Sequence, residues 1–171
     1  MNHKIALCNP DPSTRIRPVR LHDVDDMVGK FWPDRPRDSV ADIIKRAQRI
    51  AMQERGLGIV VVGAGKGELR GYGQLTIWPH AAEISDLYVP EAHRCKGIGT
   101  TMIQYLTRCA REMNAPAVEI GVALSNPLAL SLYRRIGFES RNELLLDLGS
   151  GPETVLYLQI RFDRATNNST Y

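Results

Sequence analysis

The chain has 171 residues, 43% of them hydrophobic and 24% charged, with a formal net charge of +3. That size and balance fit one folded domain with a substantial core, while the mild charge and the lack of a long apolar run argue against a nucleic-acid protein and against a membrane span. Three cysteines (Cys8, Cys95, Cys109) without CxxC spacing argue against a disulfide framework or a metal site, so a reducing, cytoplasmic setting is expected.

Residues 1–13 read as a flexible leader, too rich in proline and too short in apolar residues for a signal peptide. Thr14–Val19 alternates enough for a first strand, with Pro18 marking an edge or an end. Asp23–Lys30 predicts a short helix. The two prolines of residues 31–38 forbid regular helix, and Phe31 and Trp32 there either line a pocket or plug the core. Ser39 predicts the N-cap of a second helix, with Asp42 in a capping-box position, an apolar stripe through Val40, Ile43, Ile44, Ala47 and Ile50, and an end at Gly56.

Ile59–Val62 and Leu69–Trp78 predict a hairpin, and Glu83–Val89 the next strand. Gly97–Met113 predicts a long amphipathic helix whose inward stripe is Ile98, Met102, Leu106, Cys109 or Ala110, and Met113. Pro116–Ala123 is a strand. Asn126 and Pro127 suit the N-cap and first position of a helix that ends at Gly137. Phe138–Leu146 and Glu153–Arg161 predict two last strands around a Gly-Ser-Gly-Pro turn, and residues 164–171 a disordered tail. The layout is mixed α/β, with a largely antiparallel front half and a single domain over residues 14–163.

One stretch stands out. Arg94-Cys95-Lys96-Gly97-Ile98-Gly99 joins a strand to a helix start, where unpaired amides and the helix dipole favour a phosphate. Gly63-Ala64-Gly65-Lys66 does not complete a P-loop, because Val60 replaces the first glycine and Gly67 the Ser/Thr. A dinucleotide fingerprint fails because Met102 stands where a third glycine is needed. The loop resembles the acyl-CoA-binding motif of the GNAT superfamily of N-acetyltransferases, Arg/Gln-x-x-Gly-x-Gly/Ala. Downstream, Asn126, Ala129, Leu132, Tyr133, Gly137 and Phe138 match the pattern Asn-x-x-Ala-x-x-Leu-Tyr-x-x-x-Gly-Phe at every fixed position.

The resemblance implies a central mixed sheet of about seven strands with a splayed parallel pair in its middle and about four helices on both faces. It implies acetyl-CoA as donor co-substrate and direct, ternary-complex transfer of its acetyl group to a primary amine. The pyrophosphate would lie on Arg94, Cys95, Lys96, Gly97, Ile98, Gly99 and Thr100. The pantetheine would lie between Glu83–Val89 and Pro116–Ala123, beside backbone groups of Leu87 and Val89 and near Asn126. Tyr133 would supply the proton to the leaving thiolate, and an N–H near Leu87 or Tyr88 would stabilise the oxyanion. Glu83 matches a family position for a base acting through water. His80 is a second candidate, because an imidazole titrates near neutrality. A small-molecule acceptor is expected, in a pocket lined by Phe31, Trp32, Trp78 and His80. A protein N-terminus or lysine is the alternative acceptor, and a non-catalytic acyl-CoA-binding module the alternative class. No nucleic acid, membrane or metal is expected as partner, and a homodimer through the last strands is.

Overall fold

The central hairpin follows from two strands of opposite composition. β2 (Gly56–Gly63) carries a β-branched run, and β3 (Leu69–Ile77) alternates small or polar residues with apolar ones; they pair antiparallel. The structure is a computed structural model that describes residues 14–64, 67–147, 149 and 151–162; the leader at 1–13 and the tail at 164–171 lie outside the described residues. β1 (Thr14–Pro18) pairs with β2, and α1 (Val24–Lys30) and α2 (Arg37–Met52) connect them. β4 (Ala82–Tyr88), α3 (Ile98–Glu112), β5 (Ala117–Ala123), α4 (Pro127–Ile136), β6 (Glu139–Asp147) and β7 (Pro152–Arg161) complete the order.

The sheet runs β1-β2-β3-β4-β5-β7-β6. Every neighbouring pair is antiparallel except β4 with β5. Two apolar layers sandwich it. On one face Met27, Phe31, Val40 and Ile44 from the α1–α2 region meet Val60, Val62 and Tyr72 of the sheet. On the other, Ile98, Met102, Ile103 and Leu106 of α3 meet Ile59, Leu75, Ile84 and Ile120. At about 1.5–3 kcal/mol per large apolar side chain, the α3 stripe contributes on the order of 10 kcal/mol to holding that helix in place. Its lower member is Ala110, which is buried, whereas Cys109 is partly exposed.

The second helix begins earlier than its composition predicts. Its N-cap is Pro36, not Ser39, and no side chain caps it. Arg37 instead donates to Asp25 at 2.7 Å, which ties the first turn of α2 to α1. Asp42 pairs with Lys45 and not with a capping amide. The helix also stops at Met52, before Gly56: the chain turns through Glu54 at φ 54°, and Gly56 opens β2.

Candidate functional site

The parallel pair parts in mid-sheet. β4 and β5 are in register at Ala82–Val118, Glu83–Glu119 and Ile84–Ile120, and pairing ends there. β5 continues on β7 alone to Ala123, while β4 continues on β3 alone to Tyr88. Asp86 and Leu87 face the single residue Gly73, which makes a bulge, and Asp86 takes a positive φ of 52°. Gly73 leaves the room: a Cβ there would lie 2.8 Å from Leu87 Cδ2 and 3.1 Å from Met102 Cε. The bulge bends β4 away from β5 and leaves strand-like backbone facing a wedge-shaped gap.

α3 starts directly beyond the parted end of β4. Its N-cap is Gly97 at φ 79°, ψ −6°, with no side-chain cap and no acidic residue in the first turn. The first-turn amides and the positive end of the dipole are therefore left for a ligand. Arg94 donates from Nε to the Val89 carbonyl at 3.0 Å, and Lys96 from Nζ to the Ala92 carbonyl at 2.9 Å. Both side chains stitch the loop and hold positive charge beside it. Because Arg94 occupies the Val89 carbonyl, Leu87 is the freer of the two expected backbone partners.

α4 reaches the same place from the other side: a Cβ on Gly99 would lie 3.7 Å from Leu132 Cδ2. Asn126 caps α4, its Oδ1 accepting from the Ala129 amide at 3.1 Å. At the other end Gly137 adopts φ 110°, and the amides of Gly137 and Phe138 both donate to the Tyr133 carbonyl. The Asn…Gly-Phe pattern is thus first of all a well-capped helix that fixes Tyr133. Tyr133 is 8% exposed, against Phe138, with ring centroids 6.3 Å apart. Burial pushes its phenol up to about 12, so it is a hydrogen-bond donor at every pH near neutral.

The opposite face at the head of the wedge is polar. Trp78 Nε1 donates to Glu83 Oε2 at 2.9 Å. Glu119, in register with Glu83, accepts from Gln159 Nε2 at 2.7 Å and from Arg141. Burial, and after it the nearby Glu83 charge, raises the pKa of Tyr157. On β3 a buried series continues the polar floor, Tyr72 Oη donating to Gln74 and Gln74 to Thr76, each at 3.3 Å.

Residues 21–138 match the acetyltransferase (GNAT) family. The chain belongs to the GNAT family. It is 36% identical over 81 residues to streptothricin acetyltransferase of Streptomyces lavendulae, a match covering 46% of this chain and 42% of that protein. The chain thus aligns with less than half the length of that relative. The fold is shared with YncA of Salmonella typhimurium, solved with its cofactor acetyl-CoA (TM-score 0.67, 19% identity, 92% of this chain and 99% of that one). It is also shared with the ribosomal-protein-S18-alanine N-acetyltransferase of Escherichia coli (TM-score 0.68, 14% identity, 92% and 99%).

Within this GNAT fold the expected acceptor residues do not form one wall. Phe31 is 2% exposed in the α1–α2 core, where it plugs the interior and offers an acceptor no surface. Trp32 is partly buried against Tyr72 and Tyr88, with Arg35 over its ring. Trp78 is 48% exposed beside Arg55, and His80 is exposed next to it. The Trp32–Tyr88 end and the Trp78–Glu83 end of the strand pair are about 13 Å apart, four residues along β3 from Tyr72 to Thr76 at ~3.3 Å each. Sequence reading missed Glu119, Arg141, Tyr157 and Gln159. The available signal was the single carboxylate Glu119 in the apolar run of β5 and the alternation Tyr157, Gln159, Arg161 on β7. Among the described residues no group of three or more His, Cys, Asp or Glu is placed to hold a metal ion.

Proposed function

We propose that the protein transfers an acetyl group from acetyl-CoA directly to a primary amine, with a small molecule as acceptor. The observation that carries this is the parting of β4 from β5 beside the uncapped start of α3, with α4 alongside. An extended pantetheine amide arm fits the wedge as an added strand, and a pyrophosphate fits the first-turn amides of α3.

Acetyl-CoA supplies a thioester whose acyl carbon the neutral amine attacks. Glu83 takes the ammonium proton through water, with Trp78 holding the carboxylate in orientation. An N–H in the Leu87–Tyr88 segment of the bulge faces the oxyanion. Tyr133 donates a hydrogen bond to sulfur as the C–S bond breaks. A phenol near 12 is a weaker acid than a thiol near 8.5, so its role is to stabilise the departing thiolate, with full protonation following from a relayed proton. Asn126 contributes its amide N–H group beside the pantetheine, since its oxygen serves the cap.

The similarity to streptothricin acetyltransferase supports a small amine. The competing acceptor is a peptide amine, favoured by the exposed polar surface of β6. Free thiols at Cys95 and Cys109 support a reducing, cytoplasmic setting. The edge strand β6, with Leu144 and Leu145 exposed, supports a homodimer through the last strands. Calorimetric titration with acetyl-CoA, followed by release of free thiol in a panel of small amines and N-terminal peptides, tests the reading. Absence of donor binding overturns it, and binding without amine-dependent thiol release turns it into an acyl-CoA-binding module.

A further inference from the structure

A second concave site lies at the β1 edge, on the sheet face opposite α3 and its loop. Arg15 and Arg17 pair with Val62 and Val60, which belong to the α1–α2 core, so both arginines rise on that face. Together with Ile16, Arg20, His22, Val62 and Gly67 they line a cavity of about 520 Å³. That volume is within the range of small-molecule sites, about 300–1,000 Å³.

Its charge is not balanced. Asp23, 3% exposed, is the carboxylate beside the cavity, and it is already saturated. Arg17 grips it through two nitrogens at 2.6 and 2.8 Å, and the Arg20 amide donates to it at 2.8 Å. Arg17 Nη1 also reaches the Pro18 carbonyl at 3.0 Å, so this arginine is a fixed wall. Arg15 and Arg20 have no acidic partner among the described residues, and His22 Nε2 stands 3.7 Å from Asp23 Oδ1. One carboxylate thus offsets one of the three guanidinium groups, and the other two face the same hollow.

We propose that this cavity binds a pyrophosphoryl group, with Arg15 and Arg20 each gripping a phosphate. The guanidinium fork matches phosphate oxygens bidentately, and two separate unpaired forks suit two linked phosphates. Val62 supplies the apolar contact for an organic substituent on this face, while the Ile16 side chain packs on the other. Three strand spacings of ~4.8 Å put β1 about 14 Å from β4, so this site is separate from the donor wedge.

The test is calorimetric titration of the full chain saturated with acetyl-CoA, which keeps the donor loop occupied. The probes are inorganic pyrophosphate, ADP and, at matched ionic strength, sulfate. We expect a Kd below about 1 mM for pyrophosphate or ADP, at least tenfold weaker in the Arg15→Gln/Arg20→Gln double variant. The variant should keep its melting temperature and its acetyl-CoA affinity, because both side chains are exposed and lie away from the wedge. Tighter binding of ADP identifies a nucleotide as the source of the group, and equal affinity identifies pyrophosphate itself. No heat from either probe, an affinity no better than sulfate's, or an unchanged affinity in the double variant overturns the proposal.

Discussion

Trp78 and Glu83, five residues apart across a tight turn, are joined by an indole N–H donated to a carboxylate oxygen at 2.9 Å. The contact faces the end of the β4–β5 register, one residue before the strands part. It orients a carboxylate at the edge of the wedge while leaving Trp78 half in solvent. If Glu83 is the base, Glu83→Gln lowers kcat about 10²-fold or more and removes the low-pH limb of the kcat/KM profile. Trp78→Phe keeps the limb and lowers kcat less. A low-pH limb unchanged in Glu83→Gln would move the base elsewhere, with His80 next to be tested.

Tyr133→Phe should lower kcat by about 10–10³-fold while acetyl-CoA affinity changes less than about threefold, since only a hydroxyl at the sulfur end is lost. An unchanged kcat removes the residue from the mechanism.

The same residue predicts an alkaline signature. Its folded pKa, near 12, lies above the ordinary ~10, so the unfolded chain loses this proton first. The contribution is complete below pH ~10 and is lost as pH rises towards 12, by about 2–3 kcal/mol. The stability difference between wild type and Tyr133→Phe, measured by denaturant titration, should move against wild type by that amount over this window. A constant difference would mean that the phenol titrates normally.

Gly97 and Gly99 are adjacent in the motif and differ in physics. Gly97 sits at φ 79° with nothing within 4 Å of an added Cβ, so Gly97→Ala strains the backbone by about 1–2 kcal/mol. Gly99 has ordinary space, its nearest neighbour Leu132 at 3.7 Å, so Gly99→Ala should keep the melting temperature. If the first turn of α3 holds the pyrophosphate, Gly99→Asp weakens acetyl-CoA binding about tenfold or more, because a carboxylate then stands beside the ligand's phosphates, whereas Gly99→Ala, which the motif's Gly/Ala position admits, keeps it. Full affinity in Gly99→Asp would place the pyrophosphate elsewhere.

Asp23 anchors β1 to the start of α1. Burial pushes its carboxyl up, but the hydrogen bonds from Arg17 and the Arg20 amide outweigh that and hold it below the ordinary range. This stability is present above pH ~4 and is lost as pH falls through the folded value. Breaking the pair with Arg17→Met leaves a buried carboxylate held by the Arg20 amide without its guanidinium, and should cost about 3–5 kcal/mol, read as a fall in Tm of roughly 10 °C. A loss under about 1 kcal/mol would show the pair to be solvated.

Much of the local structure around the Arg94–Gly99 loop and α4 was legible in the residues. Pro127 after Asn126, Gly97 before an apolar stripe, and the β-branched run at 59–62 act through local sterics and hydrogen bonding, which sequence carries directly. Ser39 misled because the helix already begins after Pro36, so Ser39 falls inside the first turn and not at its cap.

What the chain alone determined was the order of its elements, the capped helix around Tyr133, and the unshielded helix start after Arg94. Tertiary structure decided the rest. Only strand register sets Glu83 beside Glu119 and ends the pairing at Ile84. Only packing buries Phe31 while exposing Trp78, and only the sheet edge gathers Arg15 and Arg20 around one hollow. These are relations between residues distant in sequence, and their energies depend on distance and burial, which exist once the chain has folded.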